Sequence, residues 1–189
     1  MHAVLFQAPS VVMRSSLDNL VSSCNHILVR HRFTHENCSI ARALEVIGDW
    51  WTLLVVREAM LGTRRFADFA AELPIARNIL ARRLAHLGRR GVLSRVNAGT
   101  HGTRYEYELT PMGKDLATIM TALRQWGDRW VFGEGNEPVL VRDRRTGRPI
   151  PRLRILDESG APISARDLEI VPGPGAGKRT VARYRRAAR

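Results

Sequence analysis

The sequence predicts an α+β fold, and three observations predict it. Apolar residues recur at helical spacing in residues 66–73 and again in residues 76–90, with Pro74 between the two runs. Two runs rich in β-branched and aromatic residues follow Gly91 and flank the polar loop NAGTHG, which is typical of a hairpin. Thr110 and the proline after it form a strong helix start, because a capping hydroxyl precedes a residue that needs no amide partner. This order is typical of a winged helix-turn-helix with a C-terminal dimerisation helix and a small β-rich C-terminal appendage.

Two further helices are predicted in residues 39–60, broken near Gly48 and Asp49. Ser39 is the expected N-cap of the first helix. The apolar stripe of the first helix is Ile40, Ala43, Leu44 and Ile47, and that of the second is Trp51, Leu54, Val55 and Met60.

The helix predicted in residues 76–90 has two different faces. Leu80, Leu84 and Leu87 lie in one stripe that must face a core. The opposite face carries small residues and hydrogen-bond donors, namely Asn78, Ala81, Arg82, Ala85 and Arg89. Such a face fits a major groove, where Asn pairs with adenine and Arg with guanine, each worth roughly 1–3 kcal/mol of discrimination. Arg77 and Arg83 flank it as expected phosphate contacts. The alternative is an ordinary surface helix with a solvated basic face.

The hairpin that follows is the expected wing. Its strand residues are Val92, Leu93 and Val96 in the first run and Tyr105, Tyr107 and Leu109 in the second. Arg95, His101 and Arg104 place positive or titratable groups at the exposed part. These groups would reach the phosphate backbone or an adjacent minor groove, and such contacts position a protein on DNA without reading its sequence. The alternative is a plain solvent-exposed hairpin.

The helix that begins at Thr110 continues an apolar stripe through Leu116, Ile119, Met120, Leu123 and Trp126. This stripe holds more apolar surface than a wing and a helix pair are expected to cover. A symmetric partner would bury the remainder, so the stripe predicts a homodimer interface.

Three segments follow one another in a specific order between about Cys38 and Trp130: CSIARALEVIGDWWTLLVVREAMLGTRRFADFAAELP, IARNILARRLAHLGRRGVLSRV and YEYELTPMGKDL. Together they resemble the HxlR-type winged helix-turn-helix family of bacterial transcriptional regulators. The resemblance implies a dimeric regulator of a pseudo-palindromic double-stranded DNA operator. It makes 76–90 the recognition helix, 97–104 the wing tip and the Thr110 helix part of the dimer.

Cys38 stands at the start of the first helix, where the family has Cys-Pro and this chain has Cys-Ser. Unpaired amides and basic surroundings favour a reactive thiolate there. Some HxlR-type regulators use a cysteine at the matching position to sense oxidants or electrophiles, so the resemblance implies a repressor that responds to a small-molecule inducer or a redox signal. The alternative is a small, buried helix-start residue with no signalling role.

The overall composition agrees with a nucleic-acid partner. The 189 residues include 30 Lys and Arg against 18 Asp and Glu, a formal charge of +12 that favours polyanions. No apolar run approaches the ~20 residues of a membrane span, and the N-terminus makes a poor secretion signal. With two cysteines, the chain is expected to be cytoplasmic.

The sequence offers no enzyme motif. It lacks a nucleophile elbow, a helical HExxH and a CxxC, so neither catalysis nor a cofactor is expected. Cys24, His26, His31, His35 and Cys38 have a spacing that matches no usual zinc pattern, so no metal is expected either. Two alternatives to a specific regulator remain, a winged helix that binds nucleic acid non-specifically and a protein-interaction module.

Four regions are expected along the chain. Residues 1–37 form a partly flexible N-terminal arm and residues 38–132 the DNA-binding domain. Residues 133–171 form a β-hairpin-rich extension, because VLVRDRRTGRPI and LRILDESGAPI are a loose internal repeat with one residue inserted. Residues 172–189 combine turn-formers with a basic end, a composition that predicts a disordered tail.

Overall fold

The computed structural model describes residue 33 and residues 35–99 and 105–187. Four helices come first, α1 (Ser39–Ile47), α2 (Trp50–Met60), α3 (Phe66–Glu72) and α4 (Arg77–Arg89), followed by strands β1 (Leu93–Asn97) and β2 (Tyr105–Leu109). Helix α5 (Pro111–Gly127) runs into a π-helical turn (Asp128–Phe132), and a 3₁₀ turn (Ala165–Asp167) and helix α6 (Lys178–Ala187) follow. The predicted α+β winged helix-turn-helix is confirmed. The predicted N-terminal arm lies almost wholly outside the described residues.

The core forms where α2, α3, α4 and the base of the hairpin meet. Leu80, Leu84 and Leu87 of α4 are at most 1% exposed, and burial of each such side chain contributes about 1.5–3 kcal/mol. The other core members are Val55, Val56, Phe69, Leu73, Val92 and Leu93. Because its leucine stripe is buried, α4 turns its opposite face to solvent.

The helix ends follow from local chemistry. Asp49 caps α2, because its Oδ1 accepts a hydrogen bond from Trp51 N at 3.1 Å. Thr110 caps α5 as the sequence predicts, and its Oγ1 accepts from Gly113 N at 3.1 Å. The N-cap of α1 is Cys38, one residue before the expected Ser39, and its side chain makes no capping hydrogen bond.

The hairpin is a two-stranded antiparallel sheet in which Leu93 pairs with Leu109 and Asn97 with Tyr105. Gly91 has φ +75°, a conformation that lets the chain leave α4 and enter β1. The loop between α2 and α3 adds one sheet-like contact, because Tyr107 N donates to Arg64 O at 2.8 Å.

The extension, residues 133–171, is less regular than the β-hairpin-rich segment that the sequence predicts. Within this described segment the repeat forms two narrow turns, each closed by one β-bridge, Arg142 with Pro149 and Leu156 with Pro162. In each bridge the proline occupies the position that makes no ladder hydrogen bond, and the outer flanking bond runs from Ile150 N to Val141 O at 2.9 Å in the first turn and from Ile163 N to Ile155 O at 2.8 Å in the second. In the second turn the Asp157 carboxylate accepts from Ser159 Oγ at 2.7 Å and from Ala161 N at 2.9 Å. These hydrogen bonds, that of Ser159 foremost, hold the pKa of Asp157 below its usual range.

The C-terminal residues also differ from the expected disordered tail, because residues 178–187 form helix α6. Its N-terminal end is held by Asn37, whose Oδ1 accepts from Gly177 N at 2.9 Å and from Thr180 Oγ1 at 2.8 Å. Asn37 Nδ2 also donates to Gly175 O at 3.0 Å. Composition alone misses this contact because its two sides lie at opposite ends of the described chain.

Candidate nucleic-acid interface

The outward face of α4 carries the residues that the sequence predicts as DNA readers. Five of them are exposed, Asn78, Ala81, Arg82, Ala85 and Arg89, and Arg77 beside them is exposed as well. The Arg77 guanidinium lies 5.7 Å from the ring centroid of Phe66 on α3. Helix α4 contains no acidic residue. Its face therefore presents hydrogen-bond donors and positive charge without an internal carboxylate to compete for them.

Arg83 differs from this group and from its expected role at phosphates. Its side chain is only 15% exposed, and its NH2 group forms an ion pair with Asp49 Oδ2. Asp49 is also the N-cap of α2. The structure therefore places Arg83 in a link between α4 and the start of α2, a long-range partner that helical periodicity does not reveal.

Two further links hold α4 against the end of α1. His86 Nε2 donates to Val46 O at 3.0 Å, and Arg90 NH2 lies 3.8 Å from Glu45 Oε2. The Glu45 side chain is 8% exposed. These contacts fix the inner edge of α4, and the sequence analysis did not single out any of these residues. No local pattern marks them, because each contact joins segments far apart in the chain.

The N-terminus of α4 faces outward without a side-chain cap. Its N-cap residue is Ala76, which makes no capping hydrogen bond. Helix N-termini carry unpaired amides and partial positive charge, which suit a phosphate oxygen.

The hairpin places one predicted contact residue on its outer half. Arg95 is exposed, and its guanidinium lies 4.0 Å from the ring centroid of Tyr105 on the paired strand. This contact is a cation–π interaction that restrains the side chain. The predicted wing-tip residues His101 and Arg104 lie outside the described residues.

The root of the hairpin is held by two ion pairs that the sequence analysis missed. Arg64 pairs with Glu108, and Arg65 Nε lies 2.9 Å from Glu106 Oε1. Both arginines belong to the loop between α2 and α3. The sequence did contain a signal for these pairs. Glu106 and Glu108 are alternate residues of one strand, so they share a face, and two glutamates on one face favour basic neighbours.

The predicted dimer residues of α5 divide into two sets. Ile119, Leu123 and Trp126 are 47–58% exposed. Leu116 and Met120 are half-buried and pack against the chain's own core. The outer set is continued by the exposed Trp130, Val131 and Phe132 of the π-helical turn.

Cys38, the candidate sensor, is half-buried at the start of α1. It borders an open groove of about 830 Å³ between α1 and the C-terminal segment, whose lining includes Ile40, Val171 and Tyr184. Of the weak metal-ligand candidates, Cys24, His26 and His31 lie outside the described residues.

Comparisons with known proteins identify the family. A family model described as HxlR-like helix-turn-helix matches residues 46–134. The uncharacterised HTH-type transcriptional regulator Rv3095 of Mycobacterium tuberculosis is 39% identical over 145 residues, which cover 77% of this chain and 90% of the relative. The chain belongs to the HxlR-like helix-turn-helix family.

Solved structures agree with this HxlR-like assignment. The crystal structure of PA1607, described as a candidate transcription factor, matches with a TM-score of 0.69 and 38% identity, covering 75% of this chain and 99% of that one. PA1374 from Pseudomonas aeruginosa matches with a TM-score of 0.57 and 34% identity, covering 77% and 99%. The HxlR-like chain is thus a DNA-binding transcriptional regulator and not an enzyme.

The similarity of this HxlR-like regulator to Rv3095 reaches beyond the winged helix. The 145 aligned residues outnumber residues 1–132, so part of the extension is aligned as well. Among the described helices, none is both long and apolar enough to cross a membrane.

Proposed function

We propose that this regulator reads a specific, pseudo-palindromic DNA operator with the outward face of α4. The observation that carries the proposal is the exposure of Asn78 and Arg82 on an acid-free helix whose leucine stripe is buried. Asparagine and arginine are the side chains that pair bidentately with adenine and guanine in the major groove. The uncapped N-terminus of α4 and Arg77 would hold phosphates beside the bases that are read.

The proposal includes a homodimer formed through α5. Ile119, Leu123 and Trp126 leave an apolar surface uncovered in the single chain, and exposed apolar patches mark protein interfaces. A two-fold dimer would place two copies of α4 in successive major grooves, about 34–36 Å apart. Repression, and its relief by a small-molecule or electrophile signal, stay predictions from the family resemblance.

A competition shift assay tests sequence specificity. The labelled probe is the DNA upstream of the regulator's own gene, and its competitors are the same duplex and a random duplex at one fixed salt concentration. We expect the random duplex to compete at least 10³-fold less well, as specific sites typically do. Equal competition would instead favour non-specific binding, and no binding to either duplex would favour a protein-interaction module.

Variants then assign the individual contacts. We expect Asn78→Ala and Arg82→Ala each to reduce discrimination at one base pair by roughly 1–3 kcal/mol. Arg104→Ala should weaken binding to all duplexes alike and lower the salt slope by about one. Arg183→Ala, which removes an exposed arginine of α6 outside α4, the hairpin and the extension, is the matched control and should change neither quantity. If Asn78→Ala and Arg82→Ala leave base preference intact, α4 is not the reader.

A further inference from the structure

The extension leaves an unusual amount of apolar side chain uncovered. None of its residues, 133–171, is buried. Six large aliphatic residues in it are 54–73% exposed, namely Val139, Leu140, Ile155, Leu156, Ile170 and Val171. Single exposed apolar residues are normal on a monomer, but these six fall in three adjacent pairs, at 139–140, 155–156 and 170–171, and so are not scattered singly. The two one-bridge turns supply no core of their own.

The extension is nevertheless attached at a defined place. The side-chain amide of Gln125, on α5, bonds to it twice: Nε2 donates to Pro151 O at 3.1 Å, and Oε1 accepts from Leu153 N at 2.8 Å. Val139 and Leu140 border a recess of about 200 Å³ beside the last turns of α5. Val139 and Leu140 therefore lie next to the helix whose Leu123 and Trp126 are also exposed, whereas Ile170 and Val171 border the separate groove beside α1.

The charge of the extension distinguishes it from the remainder of the chain. It contains seven basic and seven acidic residues, so the formal charge of +12 is carried entirely by the other residues. An electroneutral surface of mixed sign does not attract a polyanion such as DNA. It suits contact with a copy of itself, because a two-fold interface sets the same patch of both subunits face to face and each acid can meet a base of the other.

We propose that the extension packs against a second copy of the chain and forms part of the dimer interface together with α5. This inference rests on the proposed homodimer and adds a surface made mainly of residues 135–171, beyond the range 46–134 that the family model matches. In this arrangement Gln125 holds the extension at the edge of α5, and its aliphatic side chains cover apolar surface of the partner. The dimer is weakened without the extension even when α5 is intact.

Sedimentation equilibrium on the full-length chain tests the proposal. Ile155 is 54% exposed and contributes only its carbonyl to the turn, which accepts from Ile163 N at 2.8 Å. We expect Ile155→Glu to raise the dimer dissociation constant at least tenfold without changing the circular dichroism spectrum. Leu61→Glu is the matched control, because Leu61 is 71% exposed in the connection between α2 and α3. It should leave the constant unchanged.

Amide hydrogen exchange supplies a second measurement that needs no variant. Protection of residues 133–171 should rise as the protein concentration passes the dimer dissociation constant. Exchange that is independent of concentration, with Ile155→Glu as dimeric as the wild type, would overturn the proposal and favour a different protein as the partner of this surface. If Leu123→Glu breaks the dimer and Ile155→Glu does not, the dimer forms through α5 and the extension has no part in its interface. A wild type that stays monomeric at every concentration excludes the proposed homodimer too.

Discussion

Gly113 determines how closely α5 approaches the base of the wing. A Cβ added there would lie 2.2 Å from Val92 O and 2.9 Å from Leu109 Cδ2. Val92 O is held in place, because it accepts a hydrogen bond from Thr110 N at 3.1 Å, and the Thr110 hydroxyl donates to the adjacent Gly91 O at 2.6 Å. Gly113→Ala therefore forces backbone atoms apart and does more than displace a flexible side chain.

Two opposing effects set the size of this perturbation. Replacing glycine by alanine inside a helix ordinarily stabilises it by about 1 kcal/mol. Overpacking a tight contact costs about 1–3 kcal/mol and more when backbone must move. Because the contact at Gly113 is with backbone, we expect a net loss of about 1–2 kcal/mol, which lowers Tm by roughly 2–8 °C for a chain of this size.

Urea unfolding followed by circular dichroism measures the difference, and Gly127→Ala is the matched control. Gly127 ends the same helix with helical φ and ψ angles, and an added Cβ meets nothing within 4 Å. The free energy of unfolding of Gly127→Ala should therefore rise by up to about 1 kcal/mol. The reasoning is refuted if Gly113→Ala is as stable as the wild type, or if the two substitutions shift the unfolding midpoint in the same direction.

Two further predictions concern the contacts around α4 and α1. Arg83→Gln and Asp49→Asn should each lower the free energy of unfolding in urea by about 1–2 kcal/mol, because each breaks a half-buried ion pair. Each should also weaken binding to all DNA sequences. The asparagine at position 49 can still cap α2, so loss of the cap does not contribute. The double variant should lose little more stability than either single variant. If the salt dependence of DNA binding falls by about one in Arg83→Gln and not in Asp49→Asn, Arg83 contacts a phosphate instead. Cys38→Ser should abolish release of DNA by diamide in a shift assay without changing affinity in its absence, and an unchanged response would exclude sensing through this residue.

Much of the fold could be predicted from the sequence because it depends on spacing along the chain. The leucine period of α4, the Thr-Pro start of α5 and the Gly-containing loop of the hairpin are local signals, and each element stands where they place it. The outward position of Asn78 and Arg82 follows from the same periodicity, since residues opposite a buried stripe must face solvent.

The extension and the C-terminal helix were harder to predict because their stabilising contacts are not local. The repeat marks two turns, but each ladder ends after one bridged pair. The amide side chains that hold these segments, Gln125 and Asn37, look like ordinary surface residues in the sequence.

The sequence by itself determined which elements form and which side of each is apolar, since both depend on neighbours within a turn or a strand. For neighbouring residues of similar character, only the tertiary structure decided which side chain faces solvent and which contacts another segment. Arg82 and Arg83 are adjacent basic residues about 100° apart on α4, yet Arg82 faces solvent and Arg83 meets Asp49. Likewise Met120 packs inward while Ile119 stays exposed. The physical reason is that a side chain's role depends on which distant segment packs beside it.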